Sequence, residues 1–223
     1  MVRCGHALAG RRNTHAPVRC LWRLAGACRS TPTVGHMNPR SGDITVRPLA
    51  PSDDLDRITR LIHHAYAQHA AAGLRYWGTR QSVVDTAARF ASGQGFVAEL
   101  AGQYVGTITV RPPQPESPLA LYRNPRTWSI CQFAVSPHLK GLGLGRALHD
   151  AALAHARQCG GLVIALDTAA PAKGLIAMYK AWGYQCVGEH SWQPHTNYQS
   201  VVMSRSISAG TQCAMTPTSR GLA

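Results

Sequence analysis

Apolar positions along this chain change period repeatedly, from two to between three and four and back, so strands alternate with helices. Ile44-Thr45-Val46-Arg47-Pro48 predicts a short strand ended by its proline. Ser52 or Asp53 is then placed to cap a helix whose apolar residues Leu55, Ile58, Leu61, Ile62, Ala65 and Tyr66 share one face. Asp53, Asp54 and Asp56 fall in its first turn, where the helix dipole favours acids. A second helix is predicted from about Gln81 to Ala91, with Val83, Val84, Ala87, Ala88 and Phe90 apolar. The runs 95–100 and 104–110 predict two strands joined by a tight turn at Ala101-Gly102-Gln103. A proline-rich loop follows over 112–126, then a strand from Trp128 to Val135. Leu144, Leu148, Ala151, Ala152 and His155 mark a helix that stops at Gly160-Gly161. Leu162 to Leu166 is continuously apolar before Asp167, as in a central strand covered on both faces. Pro171 opens the next helix and Gly183 closes it, and 184–187 and 198–203 supply the last strands. The order β-α-α-β-β-β-α-β-α-β-β is that of a mixed α/β layer, with no internal repeat.

The two ends do not share this pattern. Residues 1–42 hold seven arginines and no acid, with no sustained apolar period, and read as a disordered basic arm. They lack a secretory apolar region of about 7–15 residues. A transit peptide and a start assigned too early, with Met37 as the true beginning, both remain open. The run 206–223 is small, polar and glycine-punctuated and reads as a flexible tail, leaving 43–205 as the folded domain.

Charge and cysteine content narrow the function classes. The net charge of +13 owes seven units to the arm, leaving +6, which suits a polyphosphate ligand as well as it suits DNA. No zinc-finger spacing, helix-turn-helix pattern or aromatic RNA-binding motif supports nucleic acid as a partner. No apolar run approaches the ~20 residues of a membrane span. The seven cysteines include no C-x-x-C pair and read as free, buried thiols of a reducing compartment, hence a cytoplasmic protein. His63-His64-His69 and His149-His155 lack the spacing that sets two imidazoles on one helical face, so no metal site is expected.

Chemistry concentrates in Phe133-Ala134-Val135-Ser136-Pro137-His138-Leu139-Lys140-Gly141-Leu142-Gly143-Leu144-Gly145-Arg146. A buried strand leads through a basic, glycine-rich turn into a helix, whose first N–H groups and positive dipole end suit a phosphate or pyrophosphate. A phosphate loop of the Gly-Lys-Ser/Thr type is excluded, because that sequence is absent. A dinucleotide fingerprint needs G-x-G-x-x-G where this chain has G-x-G-x-G, late in the sequence; Asp167 alone falls near its expected acid. A plain tight turn is the remaining alternative.

Lys140-x-x-Gly143-x-Gly145, preceded by Val135-Ser136-Pro137, resembles the acetyl-coenzyme-A loop of the GNAT superfamily of N-acetyltransferases. That pattern is Arg/Gln-x-x-Gly-x-Gly/Ala after a strand ending in Val-x-Pro. Ala177-Met178-Tyr179-Lys180-Ala181-Trp182-Gly183-Tyr184 resembles the family's second landmark, a tyrosine-bearing helix with a Gly-aromatic exit. The resemblance covers roughly 43–205 and implies the acyl-CoA N-acyltransferase fold: a single mixed, mostly antiparallel sheet with helices on both faces. It also implies that the strands on either side of the glycine turn splay apart around coenzyme A.

By the same resemblance, backbone groups of Phe133, Ala134 and Val135 hold the pantetheine arm and polarise the thioester. The turn Lys140, Gly141, Leu142, Gly143, Leu144, Gly145 and Arg146 binds the pyrophosphate of acetyl-CoA, the co-substrate. Lys140 replaces the usual Arg or Gln and acts as a point charge without a planar fork. Tyr179 matches the tyrosine that protonates the departing thiolate; a packed core aromatic is its alternative. Asp167 is either the general base or a cap for the turn at Thr168 or Ala169, and a route through ordered water and backbone carbonyls, without one essential base, is the other alternative. Gln132 stands where some relatives carry Glu, and an amide cannot serve as a base; Ala172 stands where many have a cofactor-contacting Asn. The acceptor would meet 71–82, the proline-rich loop and 189–197, which with their flanks carry Tyr76, Trp77, Tyr122, Trp128, His190, Trp192, His195 and Tyr198. A primary amine of a small molecule is the expected acceptor. Alternatives are a protein N-terminus or lysine, a non-catalytic acyl-CoA-binding or regulatory module, and, from charge alone, a nucleic-acid binder. A homodimer stays open.

Overall fold

The computed structural model describes residues 44–207. Among these described residues seven strands run β1 Ile44–Pro48, β2 Gln94–Leu100, β3 Gln103–Arg111, β4 Thr127–Val135, β5 Val163–Ala169, β6 Gln185–Ser191 and β7 Gln199–Ser206. Five helices run α1 Leu55–Ala71, α2 Val83–Ala91, α3 Ala120–Arg123, α4 Leu144–Gln158 and α5 Lys173–Ala181. The strands form one sheet in the order β1-β2-β3-β4-β5-β7-β6. Every neighbouring pair is antiparallel except β4 with β5. This is the mixed, mostly antiparallel sheet expected from the sequence.

Alternation along the strands assigns the two faces. Phe96 and Ala98 join Ile108, Val110 and the α4 residues Leu148, Ala152 and Leu153 in the larger core. Val97, between them, joins Ile58, Ile62 and Ala65 of α1 and Phe90 of α2 on the other face. Each fully buried side chain of the size of Ile58, Ile108, Leu148 or Ile164 contributes roughly 1.5–3 kcal/mol. The β2–β3 connection is a two-residue turn, with Ala101 at φ 49° and Gly102 at φ 73°. Positive φ at both positions matches the twist of the flanking strands.

Several local expectations change. Asp54, not Ser52 or Asp53, caps α1: its carboxylate accepts from the Arg57 N–H at 3.0 Å. Asp53 is taken by Arg47 at 2.6 and 2.9 Å, and Arg47 also holds Glu99 at 2.7 Å. That hydrogen bond from Arg47 is the main cause that lowers the Asp53 carboxyl to about 2. The proline-rich loop contains α3, because Tyr122 has a buried site to fill. Strand β5 runs on to Ala169, paired throughout with β7.

The tail boundary also moves. Ser206 lies within β7, and Ile207 is 1% exposed, its N–H donating to the Leu162 carbonyl at 2.9 Å. Cys131, Cys159 and Cys186 are free thiols, but Cys131 is half-buried and the other two are exposed, so they are not the buried thiols expected. The basic arm, the tail beyond Ile207, and Cys4, Cys20, Cys28 and Cys213 lie outside the described residues. Among the described residues no helix is long and apolar enough to cross a membrane.

Candidate active site

Strands β4 and β5 pair at three positions only, Thr127–Ser129 with Val163–Ala165. Beyond Ser129, β4 keeps β3 on one side while β5 stays with β7, so the sheet opens between them. A bulge marks the divergence. Thr107 and Thr109 of β3 oppose Ala134 and Cys131, which leaves one extra residue in β4, and Gln132 takes φ 53°. A left-handed residue other than glycine costs about 1–2 kcal/mol and needs support from its surroundings. Support comes from the buried Gln81, whose Nε2 donates to Gln132 Oε1 at 2.9 Å. Gln132 is thus a brace for the bulge.

The bulge decides which backbone groups face the opening. The Ser136 N–H donates to the Val105 carbonyl at 2.8 Å, so by alternation Val135 turns its N–H and carbonyl away from β3 and into the gap. The Phe133 carbonyl accepts from the Tyr66 hydroxyl at 3.1 Å. Ala134 pairs with Thr107 and is buried. Of the three residues expected to hold a pantetheine arm, Val135 has backbone groups free among the described residues, the Phe133 carbonyl already accepts one hydrogen bond, and Ala134 serves β3.

From Val135 the chain passes through a single 3-10 turn at Pro137–Leu139 into the glycine turn and α4. Gly141 and Gly143 have φ of 86° and 76°, and a Cβ on either would meet no protein atom within 4 Å. Gly143 caps α4 without a side-chain bond. Among the described residues, none of the backbone N–H groups from Lys140 to Arg146 makes a hydrogen bond. The positive end of the fifteen-residue α4 adds its dipole to this row of donors. Lys140 Nζ lies 3.1 Å from Gln68 Oε1, and Arg146 Nε donates to both Asp150 oxygens at 3.0 and 3.1 Å. Leu142 is exposed, whereas the Leu144 side chain is core, so only its backbone can serve the turn.

The turn, the opening and the inner faces of α1, α2 and α5 bound a cleft of about 1350 Å³. Tyr179 lines it from α5, 7% exposed, its ring edge-on to Trp182 and Tyr184. Its hydroxyl has no hydrogen-bond partner among the described residues. Burial first, and then the neighbouring Tyr66, Tyr184, Tyr76 and Asp167, push this phenol well above its ordinary pKa of 10, so it stays protonated. A protonated hydroxyl with an unused donor, facing a cleft, can give a proton to a ligand.

Asp167 lies opposite on β5 and lines the same cleft. Its Oδ1 accepts from the Tyr122 hydroxyl at 3.0 Å and its Oδ2 from the Trp192 indole at 2.9 Å. The turn-capping alternative falls away, because the Ala169 N–H donates instead to the Tyr76 hydroxyl at 3.1 Å. The Asp167 charge contributes to the raised pKa of Tyr66, Tyr76, Tyr122, Tyr179 and Tyr198, making it the negative centre of the site.

Of the aromatics expected at the acceptor side, Tyr76, Trp77, Trp192, His195 and Tyr198 line the cleft. Tyr122 stands behind Asp167. Trp128 is buried against His155 in the core, and His190 packs on Trp192 without lining the cleft. Ala172 lines the cleft as well. Sequence reasoning missed Tyr66 and Gln81: one looked like apolar filling of α1, the other like a polar helix start. Among the described residues no three His, Cys, Asp or Glu side chains cluster as a metal site would require.

Comparison with known proteins supplies the family. The model of the acetyltransferase (GNAT) family matches residues 58–184. A mycothiol acetyltransferase from Cellulomonas flavigena is 30% identical over 173 residues, covering 75% of this chain and 47% of that protein. N-acetyltransferase 8 of Mus musculus is 34% identical over 98 residues, covering 44% of this chain and 41% of that protein. The chain thus spans about half the length of these relatives. Among solved structures, the ribosomal-protein-S18-alanine N-acetyltransferase of Escherichia coli superposes with a TM-score of 0.57 at 17% identity, covering 76% of this chain and 97% of that one. The yncA protein of Salmonella typhimurium, solved with its cofactor acetyl-CoA, gives 0.55 at 20% identity, covering 74% and 95%. With the open sheet, the unpaired glycine turn and a family match over 127 consecutive residues, this chain belongs to the GNAT family of acetyltransferases.

Proposed function

We propose that this protein transfers the acetyl group of acetyl-CoA to the primary amine of a small molecule. The observation that carries the reading is the row of unpaired N–H groups from Lys140 to Arg146 beside a sheet opened at Ser129. In this reading the donors bind the pyrophosphate, Lys140 and Arg146 add charge, and the Val135 backbone pairs with the pantetheine arm. The amine nitrogen attacks the thioester carbonyl, an N–C bond forms, and the C–S bond breaks. Tyr179 gives its proton to the departing sulfur. The amine sheds a proton towards Asp167, directly or through water; each carboxylate oxygen accepts one hydrogen bond from the protein and keeps a lone pair. A GNAT structural relative, the yncA protein of Salmonella typhimurium, was solved with acetyl-CoA, which supports the choice of donor. The concave aromatic lining of Tyr76, Trp77, Trp192 and Tyr198 supports a small acceptor. The free thiols of Cys131, Cys159 and Cys186 fit a reducing, cytoplasmic setting.

The test is thiol release from acetyl-CoA across a library of small amines and short peptides, run beside a cofactor-binding titration. Amine-dependent release with small amines ahead of peptides is expected. Tight binding without release would instead make the protein an acyl-CoA-binding module, and peptides ahead of small amines would make the acceptor a protein.

A further inference from the structure

Among the described residues four cations line the cleft, and two of them have no task in acetyl transfer as proposed. Lys140 and Arg146 stand at the glycine turn; Arg89 of α2 and Arg111 at the end of β3 do not. Arg111 pairs with Ser129, where β4 and β5 are still joined. Ser129 lies six residues before Val135, about 20 Å along the strand, so Arg111 sits at the end of the cleft away from the phosphate turn. Ser92, one turn from Arg89, lines the cleft, and Gly93 packs against the backbone of Val110 and Arg111, which brings the end of α2 to the same place.

Neither guanidinium makes a hydrogen bond or an ion pair among the described residues, and the Nε of each is buried without a partner. Among the described residues the cleft's two acids hydrogen-bond elsewhere, although Asp85 feels the Arg89 charge one turn away on α2. Asp85 accepts from the N–H and hydroxyl of Ser82, both at 2.8 Å, in the capping box of α2. Both Asp167 oxygens accept from Tyr122 and Trp192. Only one of the chain's ten acids, Asp43, falls outside the described residues. Two arginines partly withdrawn from water with unused donors are costly unless something anionic joins them.

We propose that Arg89 and Arg111 receive an oxyanion group of the acceptor, so that the substrate is an amine whose own molecule also carries a carboxylate or a phosphate. The inference rests on the acetyltransferase reading and deepens it. The planar forks of two arginines suit a carboxylate or phosphate, and their charge lies on the side of the bulge away from the coenzyme phosphates. With Asp167 as the negative centre for the ammonium and two arginines for the anion, the cleft offers complementary charge to a zwitterion.

The full-length chain, saturated with acetyl-CoA, would be given matched acceptors: phenylalanine, β-alanine and 4-aminobutyrate, each against its primary amide, and phosphoethanolamine against ethanolamine. The best anionic member should exceed its neutral partner in kcat/KM by about tenfold to a hundredfold, the worth of a charge-assisted pair. The amino-acid and phosphoethanolamine arms decide between carboxylate and phosphate. In Arg89→Gln and Arg111→Gln the ratio should fall towards one, with Lys at either position restoring part of it. Retained acetyl-CoA affinity certifies the folded variants, and the wild-type ratio stands even if a variant does not fold. The N-acetyl products, titrated into CoA-loaded protein, should show the same anion preference without any turnover. Turnover with ratios under about threefold would overturn this inference and leave the acetyltransferase reading standing. Anion-selective product binding without any turnover would do the reverse. Product binding with no anion preference, or none at all, would also overturn the inference, as would ratios unchanged in both folded variants.

Discussion

Tyr179 carries the sharpest chemical claim, because its hydroxyl is protonated, buried and without a partner among the described residues. Tyr179→Phe removes that hydroxyl and keeps the ring contacts with Trp182 and Tyr184. We expect kcat to fall by about 10²-fold with acetyl-CoA affinity nearly unchanged, since the hydroxyl matters as charge develops on sulfur. A loss under about threefold, with chemistry rate-limiting, would make Tyr179 a packing residue. His149 gives a second test at this scale. It is fully buried, its Nε2 lies 2.9 Å from the Tyr184 hydroxyl, and burial is the first cause that lowers it from 6.5 to about 4. The folded state therefore favours the neutral ring. That contribution is whole above pH 6.5 and is lost as pH falls towards 4. His149→Gln should show a shallower fall in Tm over this window, by several degrees relative to wild type; parallel Tm curves would contradict it. The places of Tyr179 and Asp167 on the cleft were legible because one stands in a motif and the other follows an unbroken apolar run. Gln81 and Tyr66 were not, because they meet Gln132 and Phe133 across 51 and 67 residues, beyond any local period.

At the scale of elements, the glycine turn separates two kinds of glycine. Gly143 has positive φ and open space where a Cβ would stand. Gly145 has ordinary backbone, and its Cβ would rest 3.5 Å from Phe133 Cζ and 3.6 Å from Val135 Cγ2, normal contact distances. Gly143→Ala should cost about 1–2 kcal/mol of stability through its left-handed backbone and weaken acetyl-CoA binding further by intruding on the phosphate. Gly145→Ala should retain both. Calorimetry and a binding titration on the pair check this; equal cofactor affinity in both variants would remove the phosphate from Gly143. The turn was readable because glycine spacing is local. The bulge was not, because Gln132 is an ordinary residue whose left-handed φ depends on a glutamine from another element. The cap of α1 slipped by one or two residues for a similar reason: Asp53 has a distant suitor in Arg47, which leaves Asp54 for the helix.

For the molecule as a whole, the order of strands and helices was legible because the apolar period changes cleanly at most boundaries. The divergence of β4 from β5 was expected only through the family resemblance, since neither it nor the single parallel pair leaves a mark in local patterning. Ile207 shows the same limit: one apolar residue in a polar run closes the core against Leu162. The central claim is that the opening between β4 and β5, with the unpaired donors of 140–146, holds acetyl-CoA. Amide hydrogen exchange of the full-length chain, with and without saturating acetyl-CoA, tests it most directly, because unbonded N–H groups exchange quickly until something accepts from them. New protection is expected at the amides of 141–146 and at Val135. Saturating binding that leaves those amides unprotected, or protects another face of the sheet instead, would contradict it.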